Sequence, residues 1–198
     1  MNRTGISSAE HKEALANAAE QELRDLQARG VRMVGNAFSP VVLVKGRLNE
    51  AERSGGELLG GADGTALRAS LTRLGWAPED FCALAAVADE GDASVVGGPE
   101  PAELLPAELF REALEALDPE AVVLLDDVAA DAMREAYADA LSVIEDFDTA
   151  MLMPGLVARV LGRRVLALDG FEAALGSTRE KQRMWAYLKQ LPPQGAPY

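Results

Sequence analysis

Short, wholly apolar runs alternate with amphipathic stretches through this chain. Val41-Val42-Leu43-Val44 is unbroken by polar residues and mostly β-branched, which predicts a strand buried on both faces. Phe81 through Val87 repeats the pattern, as does Ala121-Val122-Val123-Leu124-Leu125. Leu156–Leu161 and Arg164–Leu168 flank Gly162-Arg163, predicting a hairpin whose second arm is the fourth main strand. Helices are predicted over 8–29, 63–75, 102–117, 128–146 and 178–190. The first and last open on capping-box patterns, Ser7-Ser8-Ala9-Glu10 and Ser177-Thr178-Arg179-Glu180. Ala14, Ala18, Leu23 and Leu26 fall near one face of the first helix, which predicts that this face docks on the body. Glycine and proline in 89–101 predict a loop, and Pro192-Pro193 predicts the end of the last helix.

Strand–helix alternation repeated four times predicts an α/β fold: a four-stranded parallel sheet covered by helices on both faces, in a three-layer sandwich. The chain reads as one domain over 1–198, with an N-terminal helix at 8–29, a core at 40–191 and a loose tail at 192–198. Ligands of such sheets bind beyond the carboxyl ends of the strands. The residues expected there are Gly46, Arg47 and Asn49 after the first strand, and Asp89 after the second. Asp126 and Asp127 follow the third strand, and Asp169, Gly170 and Phe171 the fourth. Asp126 or Asp127 also suits the N-cap of the next helix. If these carboxylates converge, the rim repels phosphate and favours a divalent cation or a basic partner, with Arg47 the one cation placed to offset them.

Charge narrows the choice of partner. Nineteen basic residues stand against 32 acidic ones, a net charge of −13. Nucleic-acid affinity comes largely from lysine and arginine on phosphates, so nucleic acid is disfavoured and a protein with a basic surface is the expected partner. The single cysteine, Cys82, excludes an internal disulfide, a four-cysteine zinc site and an iron–sulfur cluster, and it reads as a buried small hydrophobe. No cofactor is expected, and nothing beyond the strand-end carboxylates supports a divalent cation or other metal. The only histidine, His11, lies among polar residues of the first helix and reads as solvated. Gly60-Gly61-Ala62-Asp63-Gly64 precedes a helix as a phosphate cradle does, but it lacks the lysine of a P-loop. Trp76, Trp185, Phe110 and Phe147 read as core or rim, and Phe171 as the aromatic nearest the crevice. The longest apolar run, Phe81–Ala88, falls far short of the ~20 residues of a membrane span. Residues 1–20 hold no apolar leader, so a cytoplasmic location is expected.

The order of parts resembles the uracil-DNA glycosylase superfamily, in particular its iron–sulfur branch, family 4. Met33-Val34-Gly35-Asn36 is similar to the family's lead-in, and Val41 through Gly46 to its first strand and Gly-Glu motif. Gly56, Gly61 and Gly64, with Leu67 and Leu74-Gly75, match the spacing of the family's glycine-rich segment. Leu117-Asp118-Pro119-Glu120 into Val122–Leu125 and Ala129-Ala130 resembles the third strand and its helix. Ala173-Ala174-Leu175 and Lys181 through Leu188 resemble the closing segment. The resemblance spans about 20–191 and implies the uracil-DNA-glycosylase fold.

Several family features are missing. The acidic residue of the first motif falls on Arg47, the base-reading asparagine on Ala85, and the histidine–proline pair on Gly170-Phe171, and the cluster cysteines are absent. Excision needs a stabilised leaving anion and a positioned water, and one lost electrostatic contact commonly removes ~10²–10³ in rate. The expectation is therefore a catalytically inactive member of the fold serving as a binding or assembly module. The alternatives are an active DNA glycosylase with rearranged catalytic residues (Glu50, Glu52, Asp127 or Asp169), or a carboxylate- or metal-dependent small-molecule enzyme.

Overall fold

A computed structural model describes residues 8–77, 79–88 and 103–195, apart from the side chains of 8–12 and 15. The chain starts with helix α1 (Ser8–Ala28), strands β1 (Met33–Gly35) and β2 (Val41–Lys45), helices α2 (Glu50–Arg53) and α3 (Ala62–Arg73), and strand β3 (Phe81–Ala85). There follow α4 (Ala107–Leu117), β4 (Ala121–Leu124), α5 (Asp127–Ala136), α6 (Ala138–Leu141) and α7 (Phe147–Ala150). The hairpin β5 (Val157–Val160) and β6 (Arg163–Ala167) precedes α8 (Phe171–Ala174) and α9 (Thr178–Leu188).

The fold is α/β, with a six-stranded, mostly parallel sheet in the order β1-β3-β2-β4-β6-β5, flanked by helices. The four predicted strands form its parallel centre, and antiparallel strands close both edges, β1 on β3 and β5 on β6. Alternate residues of each apolar run face opposite sides, as the strand period requires. Val42, Val44, Val122 and Leu124 meet α1, α4, α5 and α6, while Val41, Leu43, Val123 and Leu166 meet α3, α8 and α9. Both faces are covered, so the central strands carry no polar face.

Four expectations need correction. The sheet has six strands, because a three-residue run such as Met33–Gly35 is too short to announce itself. The helix predicted over 128–146 breaks at Tyr137, whose backbone leaves the helical region (φ −121) as its ring is buried beneath the Arg111 guanidinium, 4.8 Å from the ring centroid. Ala14 and Ala18 are exposed; only Leu23 and Leu26 of α1 enter the core. Ser177 makes no side-chain cap bond, and Glu180 pairs instead with Arg183 at 2.5 Å. The sheet's real capping box is at α2, where Asn49 and Glu52 cap each other's amides at 3.0 and 2.8 Å. The other predicted box begins at Ser7, and the predicted loop spans 89–101; both fall outside the described residues.

Candidate functional site

The first parallel strand, β2, lies between β3 and β4. Its connection to β3 runs over one face of the sheet, through α3, and the connection from β4 to β6 runs over the other, through α5. Such a reversal opens a crevice at the carboxyl ends of the two neighbouring strands. Here it is a cleft of about 410 Å³, whose lining includes Lys45, Arg47, Asn49, Asp63, Asp126 and Phe171. Gly170 and Glu172 line its other side. Of the crevice residues expected from the sequence, Gly46 lies beside this lining and Asp89 outside the described residues.

Its polar groups are committed to one another. Asp126 is the N-cap of α5, accepting from the Ala129 amide at 2.9 Å through Oδ1. Its Oδ2 accepts from the Gly46 and Arg47 amides at 3.0 and 2.9 Å, so one buried carboxylate joins the end of β2 to the start of α5. The approach is tight: a Cβ on Gly46 would lie 2.5 Å from Val128, so only glycine fits there. Asp127 turns outward and takes a two-pronged bond from Arg47, at 2.5 and 2.6 Å. That guanidinium holds the Asp127 carboxyl below the ordinary carboxylate range.

The chemical centre of the cleft is Lys45. Its ammonium is buried at the end of β2 and contacts Asp63 at 2.6 Å, Glu52 at 2.8 Å and Glu172 at 2.9 Å. Burial alone would lower its pKa, but bonds to Asp63, Glu52 and Glu172 outweigh burial and hold the pKa above its ordinary value. The ammonium donates to Asp63 and Glu172 and is ion-paired with Glu52, so three carboxylates already crowd it where a ligand would approach. Glu52 is equally committed: it accepts from the Leu59 amide at 2.8 Å as well as from Asn49 and Lys45. Asn49 caps α2 with its oxygen and reaches Glu172 with its nitrogen at 3.4 Å.

None of the four proposed catalytic carboxylates lines the cleft. Glu52 is a buried structural residue, and Glu50 is exposed in the first turn of α2. Asp127 pairs with Arg47, and Asp169 faces α9, pairing with Arg183 at 3.2 Å. Asp126, Asp127 and Asp169 therefore do not converge on one point, the three carboxylates that do meet are gathered on Lys45, and no group of three or more His, Cys, Asp or Glu side chains that could hold a metal ion is found among the described residues. The glycine run is no phosphate cradle either. Asp63 places a carboxylate in the first turn of α3, where an anion would bind, and Gly64 is pressed against the Leu59 carbonyl.

Arg47 and the arginines of β6 lie at opposite ends of the sheet. Arg47 is at the carboxyl ends of the strands, whereas Arg163 and Arg164 start β6 at the opposite end, paired with Asp118 and Glu120 at 2.9 and 2.5 Å. Trp76, Phe110 and Phe171 are buried, but Phe147 is 73% exposed. Sequence reasoning missed Lys45, Asp63 and Glu172. A lysine ending an otherwise apolar strand was the available signal, since a buried ammonium needs carboxylates around it. No protein-family model matches the chain, and no curated protein is significantly similar to it. Among the described residues no helix is long and apolar enough to cross a membrane.

Proposed function

We propose that this chain is a diverged uracil-DNA-glycosylase-fold protein, a three-layer sandwich that does not excise bases and serves as a binding or assembly module. The observation that carries the reading is the cleft's chemical closure. Lys45 is enclosed by three carboxylates, and Asp126 is held by three backbone amides. Ala85, in register with Lys45 at the end of β3, offers no hydrogen bond to a base. A departing base anion would meet Asp63 and Glu172 rather than an uncommitted cation. The fold part of the proposal is supported by the order β3-β2-β4-β6 of the parallel strands, with the cleft at the reversal. The close packing of Gly46, Gly56 and Gly64, three of the glycines at the resembling positions, supports it further.

Base release tests the proposal. Protein in excess is incubated with labelled single- and double-stranded oligonucleotides carrying uracil or hypoxanthine, followed by alkali and a denaturing gel. No cleavage is expected. Cleavage that disappears in Asp63→Asn, Glu172→Gln or Asp169→Asn would overturn the reading and identify an active glycosylase with a rewired cleft.

A further inference from the structure

The binding-module reading leaves open where a partner docks, and the surface chemistry favours one place. Large apolar side chains that remain exposed are concentrated between positions 143 and 156: Val143, Phe147, Met151, Met153 and Leu156. Only Phe38 and Leu161 join them from elsewhere among the described residues. Val143 is 78% exposed, and Phe147 is only slightly more covered. Exposed apolar residues scattered singly need no explanation, but a concentration of them marks a contact surface.

Two of them, Phe147 and Met151, line a groove of about 400 Å³ between α5–α6 on one side and α7 on the other. Leu141, Ile144, Phe147 and Met151 give it an apolar lining. The backbone fixes this display. Leu152 is buried and adopts a left-handed conformation (φ 53), which L-residues rarely take. With Leu152 anchored inward, Met151 and Met153 stand exposed on either side of it. Methionine adapts its shape to an apolar partner more readily than branched residues do.

Charge selects the occupant. The segments that form the groove carry Asp131, Glu135, Asp139, Glu145, Asp146 and Asp148 against one cation of their own, Arg134, and only Asp139 has a further partner, Arg111 of α4 at 2.9 Å, among the described residues. Arg134 is bonded to Asp131 and to the Met151 carbonyl, so it is not directed at Glu145 or Asp148. A second copy of this chain would bring an equally acidic rim against the first, adding like-charge repulsion to a net charge of −13. A groove between helices suits a helix laid along it by its apolar face.

We propose that this groove docks an amphipathic helix of a partner protein, with lysine or arginine flanking its apolar stripe. The proposal rests on the binding-module reading and assigns that reading its surface. A fluorescein-labelled helical peptide with leucines at i, i+3, i+4 and i+7 and lysine flanks is the probe, titrated against the full chain by anisotropy. The expected Kd is on the order of micromolar, weakening as salt shortens the Debye length from about 10 Å to about 3 Å. A peptide with glutamate flanks and a scrambled peptide should bind at least about tenfold more weakly. Phe147→Ser with Met151→Ser should cost a similar factor while leaving the melting temperature unchanged, because both side chains are exposed. Glu145→Lys with Asp148→Lys should shift preference toward the glutamate-flanked peptide.

Equal binding of all three peptides, no binding, or indifference to Phe147→Ser and Met151→Ser would overturn the proposal. Sedimentation showing a dimer that Phe147→Ser dissolves would also overturn it, in favour of a second copy. Base excision on the same preparation keeps the two readings apart. Excision together with selective peptide binding sinks only the inactive-fold reading, whereas neither excision nor binding sinks only this surface.

Discussion

Among the described residues Lys45 is the one cation paired with the carboxylates of Glu52 and Asp63, which are buried as deeply as the lysine itself. Lys45→Met would leave both without a counter-charge, and breaking a buried pair this way costs about 3–5 kcal/mol. Urea denaturation should register that loss, and adding Asp63→Asn should recover part of it. The pH dependence has a definite sign. The folded pKa of Lys45 is raised, so its contribution is fully present below the unfolded value of about 10.4 and is lost only as pH climbs through the higher folded value. Asp127 works the other way: its folded pKa is lowered by Arg47, so its contribution is present above the unfolded value and lost on acidification. That second contribution is small, because both partners are mostly exposed. Denaturation followed across pH should therefore show no loss assignable to Lys45 below pH ~10. Cys82 gives a separate check. Burial pushes its thiol up to about 11, so a thiol reagent at pH 8 should leave the native protein unmodified and label it only after unfolding.

Among the elements, α5 depends most on one side chain. Asp126 satisfies the Ala129 amide at the helix start together with the Gly46 and Arg47 amides at the end of β2. Losing an N-cap costs about 0.5–2 kcal/mol, and stranding a buried amide adds about 1–3. Asp126→Ala should thus destabilise by about 1.5–5 kcal/mol on those terms, while Asp127→Ala, which removes an exposed ion pair, should stay within about 1. Equal losses from the two would mean that the carboxylate does not join strand to helix. The contrast also shows how much of the site was legible. Either aspartate suits a cap in the sequence; the distances assign the role to Asp126 and turn Asp127 to Arg47. The box at Asn49–Glu52 follows the capping pattern as well as the one at Ser177–Glu180 does, yet only the former forms. Side-chain competition decides: Glu52 has Lys45 and two amides to hold it, whereas Glu180 is drawn to Arg183.

Across the whole molecule, the described side chains of α1 join the body through its last turns alone. Leu23 and Leu26 are buried against α4, and Arg29 reaches Glu112 at 2.6 Å, while the described side chains from 13 to 18 are exposed. Removing residues 1–20 should move the melting temperature by no more than about 2–4 °C, the shift that 1 kcal/mol produces at this size. Leu26→Ala, by contrast, should cost about 2–5 kcal/mol through the cavity it leaves. A large loss from the truncation would reveal contacts made by the first half of the helix. The apolar runs determined the parallel centre of the sheet and its helical cover by themselves, because a strand buried on both faces must be apolar throughout and the strand period divides its side chains between two cores. They equally determined that Cys82 is buried. Tertiary structure alone decided which charges meet. Asp63 and Glu172 lie 18 and 127 positions from Lys45 and meet it only because β2 lies at the centre of the sheet, between the starts of α3 and α8. It also decided that Phe147 and the methionines beside it stay on the surface. Local periodicity records that a segment is amphipathic, whereas the neighbour that covers its apolar side depends on contacts distant in the chain.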